Sequence, residues 1–347
     1  MKRSILLTSL LVALCISRPA HAAPADKRLD VYWSDTEGGA ATLIVTPAGE
    51  SVLVDSGNAG GRDAKRIFEI ANKVAGLKQI DYYVTTHFHS DHFGGAAELA
   101  ALMPIRTVYD NGEFPGGRER PSAAYLSFKA DRRLVLNPGD EIPLKQADGS
   151  PKLSLRCLAA RKQFVEPPAG TAPNPACGAV RKKPDDFTDN ANSIVQLLGF
   201  GDFRLFLGGD LTWNMEARLV CPVNLVGRVD VYPVDHHGLE VSNNPVLIKS
   251  LAPTVAVFSN GPRKGCSPET FATIKAQPTL QGIYQLHKNL RPDGATNNTP
   301  DEFIANTQDT PACEGNYIKC AVDPAAKAYT ITVPATKHET TFRTGGK

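Results

Sequence analysis

The 347-residue sequence predicts an α/β fold. Short apolar runs typical of β-strands alternate with runs whose apolar residues recur at helical spacing. Several strand-like runs end in a histidine or an aspartate beside a glycine, so a sheet would deliver polar groups to one edge. One such strand leads into a segment with three histidines and an aspartate within six residues. The sequence contains neither a Gly/Ser-rich linker nor an internal repeat, which favours one large domain.

The first third of the chain alternates predicted strands and helices. Apolar residues at 67, 70, 71 and 74 share one face of a helix, which predicts a helix over residues 62–75. The turn residues Pro47 and Gly49 predict a hairpin. The other predicted elements here are strands at 29–33, 42–45, 51–54, 80–85 and 104–109, and a helix at 96–102.

The middle of the chain, from about residue 111 to 189, predicts a loop-rich insertion. Its stretch 166–186 is rich in Pro, Gly, Ala and Lys, and loops of this length serve either as functional lids or as plain surface insertions. A β-rich extension is predicted at about 300–347. The remaining predicted elements are strands at 133–136, 153–158, 193–198, 204–207, 229–234 and 255–258, helices at 246–251 and 268–274, and β structure at 317–342.

The first 22 residues predict a secretory signal peptide. Lys2 and Arg3 precede an apolar run over residues 5–16, and Ala-His-Ala at 20–22 matches a cleavage site before Ala23. The run is too short to span a bilayer comfortably, and we expect no membrane span elsewhere. The sequence therefore predicts a periplasmic or secreted protein whose single domain covers residues 23–347.

The charge balance excludes a general attraction to nucleic acid. The full sequence has 38 basic and 36 acidic residues, a net charge of +2. The signal segment contains three basic residues and no acidic ones, so its removal leaves 35 basic and 36 acidic residues, a net charge of −1. A nearly neutral protein can still carry a local basic patch, but it has no global field that attracts phosphates.

Six of the seven cysteines lie after the predicted signal segment. An even number of cysteines in an exported protein predicts disulfides. Proximity in sequence favours Cys157 with Cys177 and Cys313 with Cys320, which leaves Cys221 with Cys266. None of these cysteines forms a CxxC pair or lies beside the histidine cluster, so the sequence argues against metal ligation by cysteine.

The histidine cluster lies in the segment THFHSDHFGG, residues 86–95. His87 and His89 point the same way if the chain there is extended. Asp91 and His92 follow the start of a turn and can address a second metal beside the first. Nitrogen and oxygen ligands of this kind suit zinc, manganese or iron, so the segment predicts a two-metal loop.

Other predicted strands deliver Asp55, Asp210 and the pair His236 and His237 to the same edge. Asp210 can bridge two metals through its two carboxylate oxygens. One of the adjacent histidines completes the second site, and the other is left for a hydrogen bond to a ligand or for contact with substrate, since neighbouring side chains on a strand face opposite sides. A hydroxide shared by two metals attacks an electrophilic carbonyl or phosphorus.

These motifs resemble the metallo-β-lactamase fold superfamily from Leu29 to about residue 287. The resemblance implies an αββα sandwich, in which two mixed β-sheets carry helices on their outer faces. It implies that His87 and His89 hold one metal ion, that Asp91 and His92 hold the other, and that Asp210 bridges them. Asp91, His92 and Asp210 are then the catalytic residues, and Asp55 braces the metal loop.

Three stretches resemble the metallo-hydrolase domain of ComEC-type DNA-uptake proteins and their stand-alone exported relatives. They are GGAATLIVTPAGESVLVDSG, NSIVQLLGFGDFRLFLGGD and HHGLEVSNNPVLIKSLAPTVAVFSNGP. Ala40 stands where those domains tend to carry an acidic residue. The superfamily's third histidine for the first metal is missing, and Asp189 lies nearest to its place, followed by Asn190 and Asn192. An oxygen ligand there shifts the preference towards manganese, and the missing histidine weakens a β-lactamase or thioesterase interpretation.

Three functions follow from this sequence. The first is an exported phosphodiesterase or nuclease that uses two divalent ions, Zn or Mn, on a small-molecule or nucleic-acid phosphodiester. Its phosphate would be held by Arg263 and Lys264, or by the basic residues 181–183, and His287 could reach the site from the C-terminal side. The second is hydrolysis of cyclic amides, esters or lactones, including β-lactams. The third is a catalytically inactive metal-binding protein, and no protein partner is inferred.

Overall fold

Two mixed β-sheets form the centre of the molecule in the computed structural model, which describes residues 26–310 and 312–346. The predicted signal peptide, residues 1–22, lies outside the described residues. The strands are β1 (Leu29–Trp33), β2 (Thr42–Val45), β3 (Ser51–Val54), β4 (Ile80–Val84), β5 (Ile105–Asp110), β6 (Ala130–Val135), β7 (Leu153–Ala160), β8 (Gln163–Phe164), β9 (Val195–Phe200), β10 (Phe203–Leu207), β11 (Val231–Pro233), β12 (Val255–Phe258), β13 (Gly282–His287), β14 (Ile304–Asn306), β15 (Ile318–Val322), β16 (Ala328–Val333) and β17 (His338–Arg343).

The first sheet has the strand order β17-β16-β15-β1-β2-β3-β4-β5-β6. Strands β3 to β6 run parallel to one another, whereas the strands from β17 to β3 pair antiparallel. The C-terminal strands therefore extend this sheet by pairing β15 with β1, with Leu29 opposite Val322. The β structure predicted for residues 317–342 is confirmed, and it belongs to the first sheet.

The second sheet has the strand order β14-β13-β12-β11-β10-β9-β7-β8. Strands β10 to β14 are parallel, and β9, β7 and β8 pair antiparallel at the other end. Parallel strands place their carboxyl ends at one edge, so the residues after β10 and β11 come close together.

Helices cover the outer faces of both sheets. Helix α6 begins at a strong N-cap, since the Asn244 side chain accepts a hydrogen bond from the Val246 N–H at 3.0 Å and Pro245 occupies the first turn. The α-helices of the described residues are α1 (Arg62–Glu69), α2 (Ser90–Phe93), α3 (Ala96–Leu102), α4 (Ala123–Ser127), α5 (Trp213–Val220), α6 (Pro245–Leu251) and α7 (Pro268–Lys275).

Three layers of apolar side chains hold these elements together. The central layer lies between the two sheets and includes Trp33, Val54, Leu198 and Leu205. A second layer packs α5, α6 and α7 on the second sheet, and a third packs α1, α3 and α4 on the first. Burying both faces of each sheet supplies most of the stabilisation, and the arrangement confirms the predicted αββα sandwich.

Some elements differ from the sequence prediction. The helix predicted over residues 62–75 is α-helical only to Glu69, and Ile70–Val74 continues it as a π-helix. Helices α4 and α5 and strand β13 were not predicted, whereas β14 falls within the β-rich extension predicted at about 300–347. Strands β13 and β14 are short runs in a polar part of the sequence, and their pairing with β12 and with each other makes them strands.

The predicted disulfide pairing is wrong. Cys177 bonds to Cys221, and Cys157, Cys266, Cys313 and Cys320 are free thiols. Proximity in sequence failed because Cys157 and Cys320 are buried in the central apolar layer, to which neither Cys177 nor Cys313 belongs. No helix of the part that the structure describes is long and apolar enough to cross a membrane.

Candidate metal centre

The candidate metal centre lies where several strands of both sheets end. Asp55 follows β3, and the histidine segment follows β4, from which helix α2 begins at Ser90. Asp210 follows β10, and His236 and His237 follow β11. The polar residues that the sequence places after separate strands thus meet at one edge of the sandwich.

Asp210 is the middle of this centre. Its Oδ2 lies 3.1 Å from His92 Nε2, 3.4 Å from the Nε2 atoms of both His236 and His237, and 3.9 Å from His87 Nε2. Four imidazole nitrogens therefore converge on one carboxylate oxygen. All five side chains are buried or nearly so.

Asp91 completes a compact group with three of these residues. Its Oδ2 lies 3.2 Å from His237 Nε2 and 3.8 Å from His92 Nε2. One ligand atom from each of Asp91, His92, Asp210 and His237 lies within 4.8 Å of all the others. Two imidazoles and two carboxylates at this spacing form a ligand set that suits zinc or manganese.

The opposite ring nitrogen of each histidine is anchored by another group. His92 Nδ1 lies 2.7 Å from Asp55 Oδ2, and His237 Nδ1 donates to the Ser259 carbonyl at 3.2 Å. His87 Nδ1 lies 3.0 Å from Thr86 Oγ1, and His236 Nδ1 lies 3.1 Å from Ser242 Oγ. Since a carboxylate and a carbonyl only accept, the proton of His92 and of His237 resides on Nδ1 when the ring is neutral, which frees Nε2 for a metal.

The backbone around Asp210 and the two adjacent histidines is unusual. A Cβ on Gly208 would lie 2.1 Å from Asp235 Oδ1, and Gly209 has φ +59°, so this turn requires glycine. His236 and His237 have φ of 52° and 56°, a left-handed conformation that is costly for such residues. This conformation departs from strand alternation and brings both imidazoles to Asp210, whereas sequence reasoning left open which of them reaches it.

The carboxylates of the centre stay charged. Although burial alone would raise the pKa of Asp210, His236, His92 and His237 hold it well below its ordinary value. Burial likewise opposes ionisation of Asp91, but the hydrogen bond from His237 and the nearby His92 lower its pKa far below the usual range. The centre therefore presents ionised oxygen ligands at neutral pH.

The histidines divide into two kinds. Burial would lower the pKa of His92, but Asp210 and Asp55 raise it well above its ordinary value, and Asp210 raises that of His237 against the same effect of burial. Burial lowers the pKa of His87 and of His236. The carboxylates thus favour protonation of His92 and His237, and a divalent ion could take the place of these protons, because metal ligands must be deprotonated.

The residues present fit a metal ion. His87 Nε2 is buried and has no hydrogen-bond partner among the described residues. An orphaned buried nitrogen costs free energy unless a ligand or an ion satisfies it. Its position 3.9 Å from Asp210 Oδ2 is compatible with an ion between the two atoms.

Asp55 contacts the loop that carries the candidate ligands and holds it in place. Its two oxygens accept from the Thr86 N–H and the Thr86 hydroxyl, each at 2.8 Å, and Oδ2 also faces His92. Burial raises the pKa of Asp55, which these bonds partly offset. It therefore fixes the loop that carries the histidines, at a position with φ 61°.

Two predicted ligands of the first metal lie outside the compact group. His89 has a side chain 27% exposed, with Nε2 3.6 Å from Glu119 Oε1 and its ring 4.7 Å from that of His87. The buried Asp189 accepts from the Phe88 N–H at 2.7 Å, and from the Asn192 amide at 3.0 Å. One Asp189 oxygen thus holds the histidine segment, and the other bonds within its own turn.

The weaker candidates have different surroundings. Lys264 Nζ lies 2.5 Å from Asp91 Oδ2, so it adjoins the centre. Arg263 pairs with Asp309 at 2.9 Å and is largely exposed. His287 Nε2 lies 2.9 Å from Asp35 Oδ2, in another group of polar side chains. Of these three residues, the structure brings only Lys264 into contact with the compact group.

That other group, which we call the ion-pair cluster, consists of Asp35, Glu37, His287 and Cys313. Cys313 Sγ lies 3.8 Å from Asp35 Oδ2 and 4.0 Å from His287 Nε2. Sequence reasoning missed it because the cysteine and the histidine lie far along the chain from the two acids. Only the pairing of β1 with β15 and the ends of β13 and β14 bring these segments together.

The family comparison matches residues 35–187 to the model described as "Metallo-beta-lactamase superfamily". Competence protein ComA of Neisseria gonorrhoeae is 24% identical over 283 residues, which are 81% of this chain and 34% of that protein. ComE operon protein 3 of Bacillus subtilis (strain 168) is 24% identical over 224 residues, 60% of this chain and 25% of that protein. A UPF0173 metal-dependent hydrolase of Cupriavidus taiwanensis is 30% identical over 151 residues, 41% of this chain and 50% of that protein.

Among solved structures, the metallo hydrolase Igni18 from Ignicoccus hospitalis is similar with a TM-score of 0.40 and 15% identity. That similarity covers 73% of this chain and 94% of Igni18. The match to the two competence-related proteins spans only 34% and 25% of their length. The αββα assignment rests on the strand order and the apolar layers described above.

Proposed function

We propose that the chain is a metal-dependent hydrolase that cleaves phosphodiester bonds, since residues 35–187 match the metallo-β-lactamase superfamily that its motifs predicted and a relative that matches part of the chain is named a metal-dependent hydrolase. The proposal includes two divalent ions, Zn or Mn, and export from the cytoplasm. The competence-related relatives support a nucleic-acid or smaller phosphodiester substrate. This chain spans only part of the length of those relatives.

The contact between Lys264 and Asp91 carries this proposal. The ammonium group lies 2.5 Å from a carboxylate oxygen of the compact group, and the Lys264 side chain is 43% exposed. A metal ion on Asp91 would weaken this ion pair and leave the lysine beside the centre, free to hold an anionic oxygen of an incoming phosphate. A neutral amide or lactone has no group that needs this cation.

The proposed ion sites follow the contacts. One site consists of Asp91, His92, Asp210 and His237, and the other consists of His87, His89 and the shared Asp210, with His236 or Asp189 as its further candidates. Divalent ions lower the pKa of water and polarise a phosphoryl oxygen. Asp55 and the Ser259 carbonyl orient the rings of His92 and His237, so each Nε2 faces the centre.

The experiment loads the purified protein with Zn or Mn and assays bis-p-nitrophenyl phosphate, DNA, nitrocefin and a lactone. We expect hydrolysis of the phosphodiesters, with a loss of at least about tenfold in Lys264→Ala at low salt. Arg263→Ala is the matched control, since its side chain pairs with Asp309 away from the centre. Hydrolysis of nitrocefin or the lactone alone would overturn the phosphodiester assignment.

The Cys177–Cys221 disulfide supports export, because disulfides persist in oxidising compartments. We expect the protein in the periplasm or the medium, with a mature N-terminus at Ala23. Cell fractionation followed by N-terminal sequencing tests both points. Recovery of the uncleaved chain with reduced thiols from the cytoplasm would contradict them.

A further inference from the structure

A groove of about 1020 Å³ lies between residues 162–188 and helix α5. His236, which faces Asp210 at 3.4 Å, also lines this groove, so the groove and the metal centre share a wall. A volume of this size accommodates a ligand as large as a nucleotide. The loop-rich insertion therefore forms one side of a binding groove beside the centre.

The groove is preformed, because its wall is tied to the domain at several points. The Cys177–Cys221 disulfide joins the wall to the end of α5. The Trp213 indole donates to the Arg181 carbonyl at 2.7 Å, and the Asn214 amide donates to the Lys183 carbonyl at 2.7 Å. A ligand that enters consequently meets a wall that is already ordered, which lowers the entropic cost of binding.

The charges of the groove favour an anion. Its basic residues outnumber its acidic ones; they are Lys162, Lys182, Lys183 and Arg218, against Asp185 and Asp186. This local excess contrasts with the near neutrality of the chain as a whole. Cations beside a concave surface raise the local concentration of an anionic ligand.

An exposed aromatic ring stands at the groove. Phe187 is 63% exposed, with the Arg118 guanidinium 5.6 Å and the Lys162 ammonium 6.0 Å from its ring centroid. A flat ring next to cations suits an aromatic group that carries a phosphate, because the ring can stack while the cations pair with the charge. Neither a simple alkyl ester nor inorganic phosphate would use both features.

We propose that this groove binds a nucleoside next to the scissile phosphodiester, with its base stacked on Phe187. The proposal deepens the phosphodiesterase function and rests on it, since the scissile group must lie at the shared wall formed by His236. It makes Phe187 a determinant of specificity for nucleotides over small diesters.

Two p-nitrophenyl esters with the same leaving group test this proposal. One is thymidine 5′-monophosphate p-nitrophenyl ester and the other is methyl p-nitrophenyl phosphate. We expect Phe187→Ala to lower kcat/KM for the thymidine ester roughly tenfold, the order of one base stack, and to leave the methyl ester unchanged. Phe187→Tyr should restore the preference, and Leu102→Ala, which removes another exposed apolar side chain, on α3, should leave both esters unchanged.

The outcomes separate the two proposals. If the wild type cleaves both esters and Phe187→Ala changes both or neither, the groove proposal is overturned and the function stands. If the wild type cleaves neither ester, the proposed function fails, and calorimetric titration with thymidine 5′-monophosphate then decides the groove. Binding that weakens about tenfold in Phe187→Ala supports the groove, and unchanged binding overturns it.

Discussion

The metal centre and the ion-pair cluster contain the same kinds of side chain and differ in how their charges are balanced. In the ion-pair cluster, Arg66 contacts Asp35 at 3.1 Å and Glu37 at 3.0 Å, and Arg62 also pairs with Glu37. Two guanidinium groups thus neutralise two carboxylates. In the centre, the ion pair between Lys264 and Asp91 is the only one that involves a lysine or an arginine among the described residues.

The difference also lies in the free nitrogen atoms. Four imidazole Nε2 atoms converge on Asp210, and that of His87 has no hydrogen-bond partner in the described part of the chain. In the ion-pair cluster, the nitrogen that faces the carboxylate, His287 Nε2, already contacts Asp35 at 2.9 Å, and the nitrogen without a partner is the opposite one, Nδ1. The types of side chain therefore do not identify a metal site by themselves. A metal site is indicated when its carboxylates lack neutralising cations and the ring nitrogens that face them lack hydrogen-bond partners.

Removing the shared carboxylate should have the largest effect. We expect Asp210→Ala to lose metal at one or both sites and at least about 100-fold in activity, since even groups that only orient a ligand contribute 10–100-fold. Elemental analysis and a phosphodiester assay measure both quantities. Cys313→Ser in the ion-pair cluster is the matched control and should keep full metal content. If Asp210→Ala retains its metal, the centre is assigned wrongly.

Removing the Arg66 guanidinium from the carboxylates of the ion-pair cluster should make this cluster resemble the metal centre. Arg66→Met leaves Asp35 and Glu37 without their buried partner, so we expect a loss of about 3–5 kcal/mol in the free energy of unfolding. Added zinc should then raise the melting temperature of this variant more than that of the wild type, because four ligand atoms lie within 4.8 Å of one another. Equal responses to zinc in both proteins would contradict the comparison.

Changing Asp55, which orients the candidate ligand His92, should have a smaller effect. Asp55→Asn keeps the shape of the side chain but loses the charge that orients His92 and raises its pKa. We expect metal affinity to fall about 10–100-fold with the fold intact. Competition with a chelator gives the affinity, and circular dichroism checks the fold. Asp81→Asn, at a carboxylate that bonds Ser51 in the first sheet, should leave the affinity unchanged.

A third buried site, formed by the carboxyl groups of Glu216 and Asp235, tests how buried acids are accommodated without a metal ion. Burial raises the pKa of Glu216 to about 7, and burial together with Glu216 raises that of Asp235 well above its usual value. Because folding raises the pKa of Glu216, its protonation favours the folded state, and that contribution is lost as pH rises from about 4.5 to 7.

Glu216→Gln should reduce the slope of the free energy of unfolding against pH in this range, by at most about 1.4 kcal/mol per pH unit. Denaturant unfolding of the wild type and the variant from pH 5 to 8 measures the difference. Two profiles with the same slope would show that Glu216 does not titrate in this range.

Much of the fold and part of the centre could be predicted from local patterns. The apolar runs of β1 to β5 and β9 to β12, and the polar residues that follow them, are local patterns that can be recognised in the sequence without knowledge of the fold. The disulfide could not be predicted, because Cys177 and Cys221 meet only after the insertion folds over α5. The ion-pair cluster also escaped, since β15 must first join β1.

The sequence by itself predicted where the candidate ligands lie: His87, Asp91, His92 and Asp210 follow buried strands, and the carboxyl ends of parallel strands meet at one edge. Only the tertiary structure decided how the charges balance. It placed Arg66 on Asp35, Lys264 on Asp91 and Asp189 on the Phe88 N–H. It also turned both His236 and His237 towards Asp210 through a left-handed backbone. These are distances between segments far apart in the chain, and packing of the two sheets sets them.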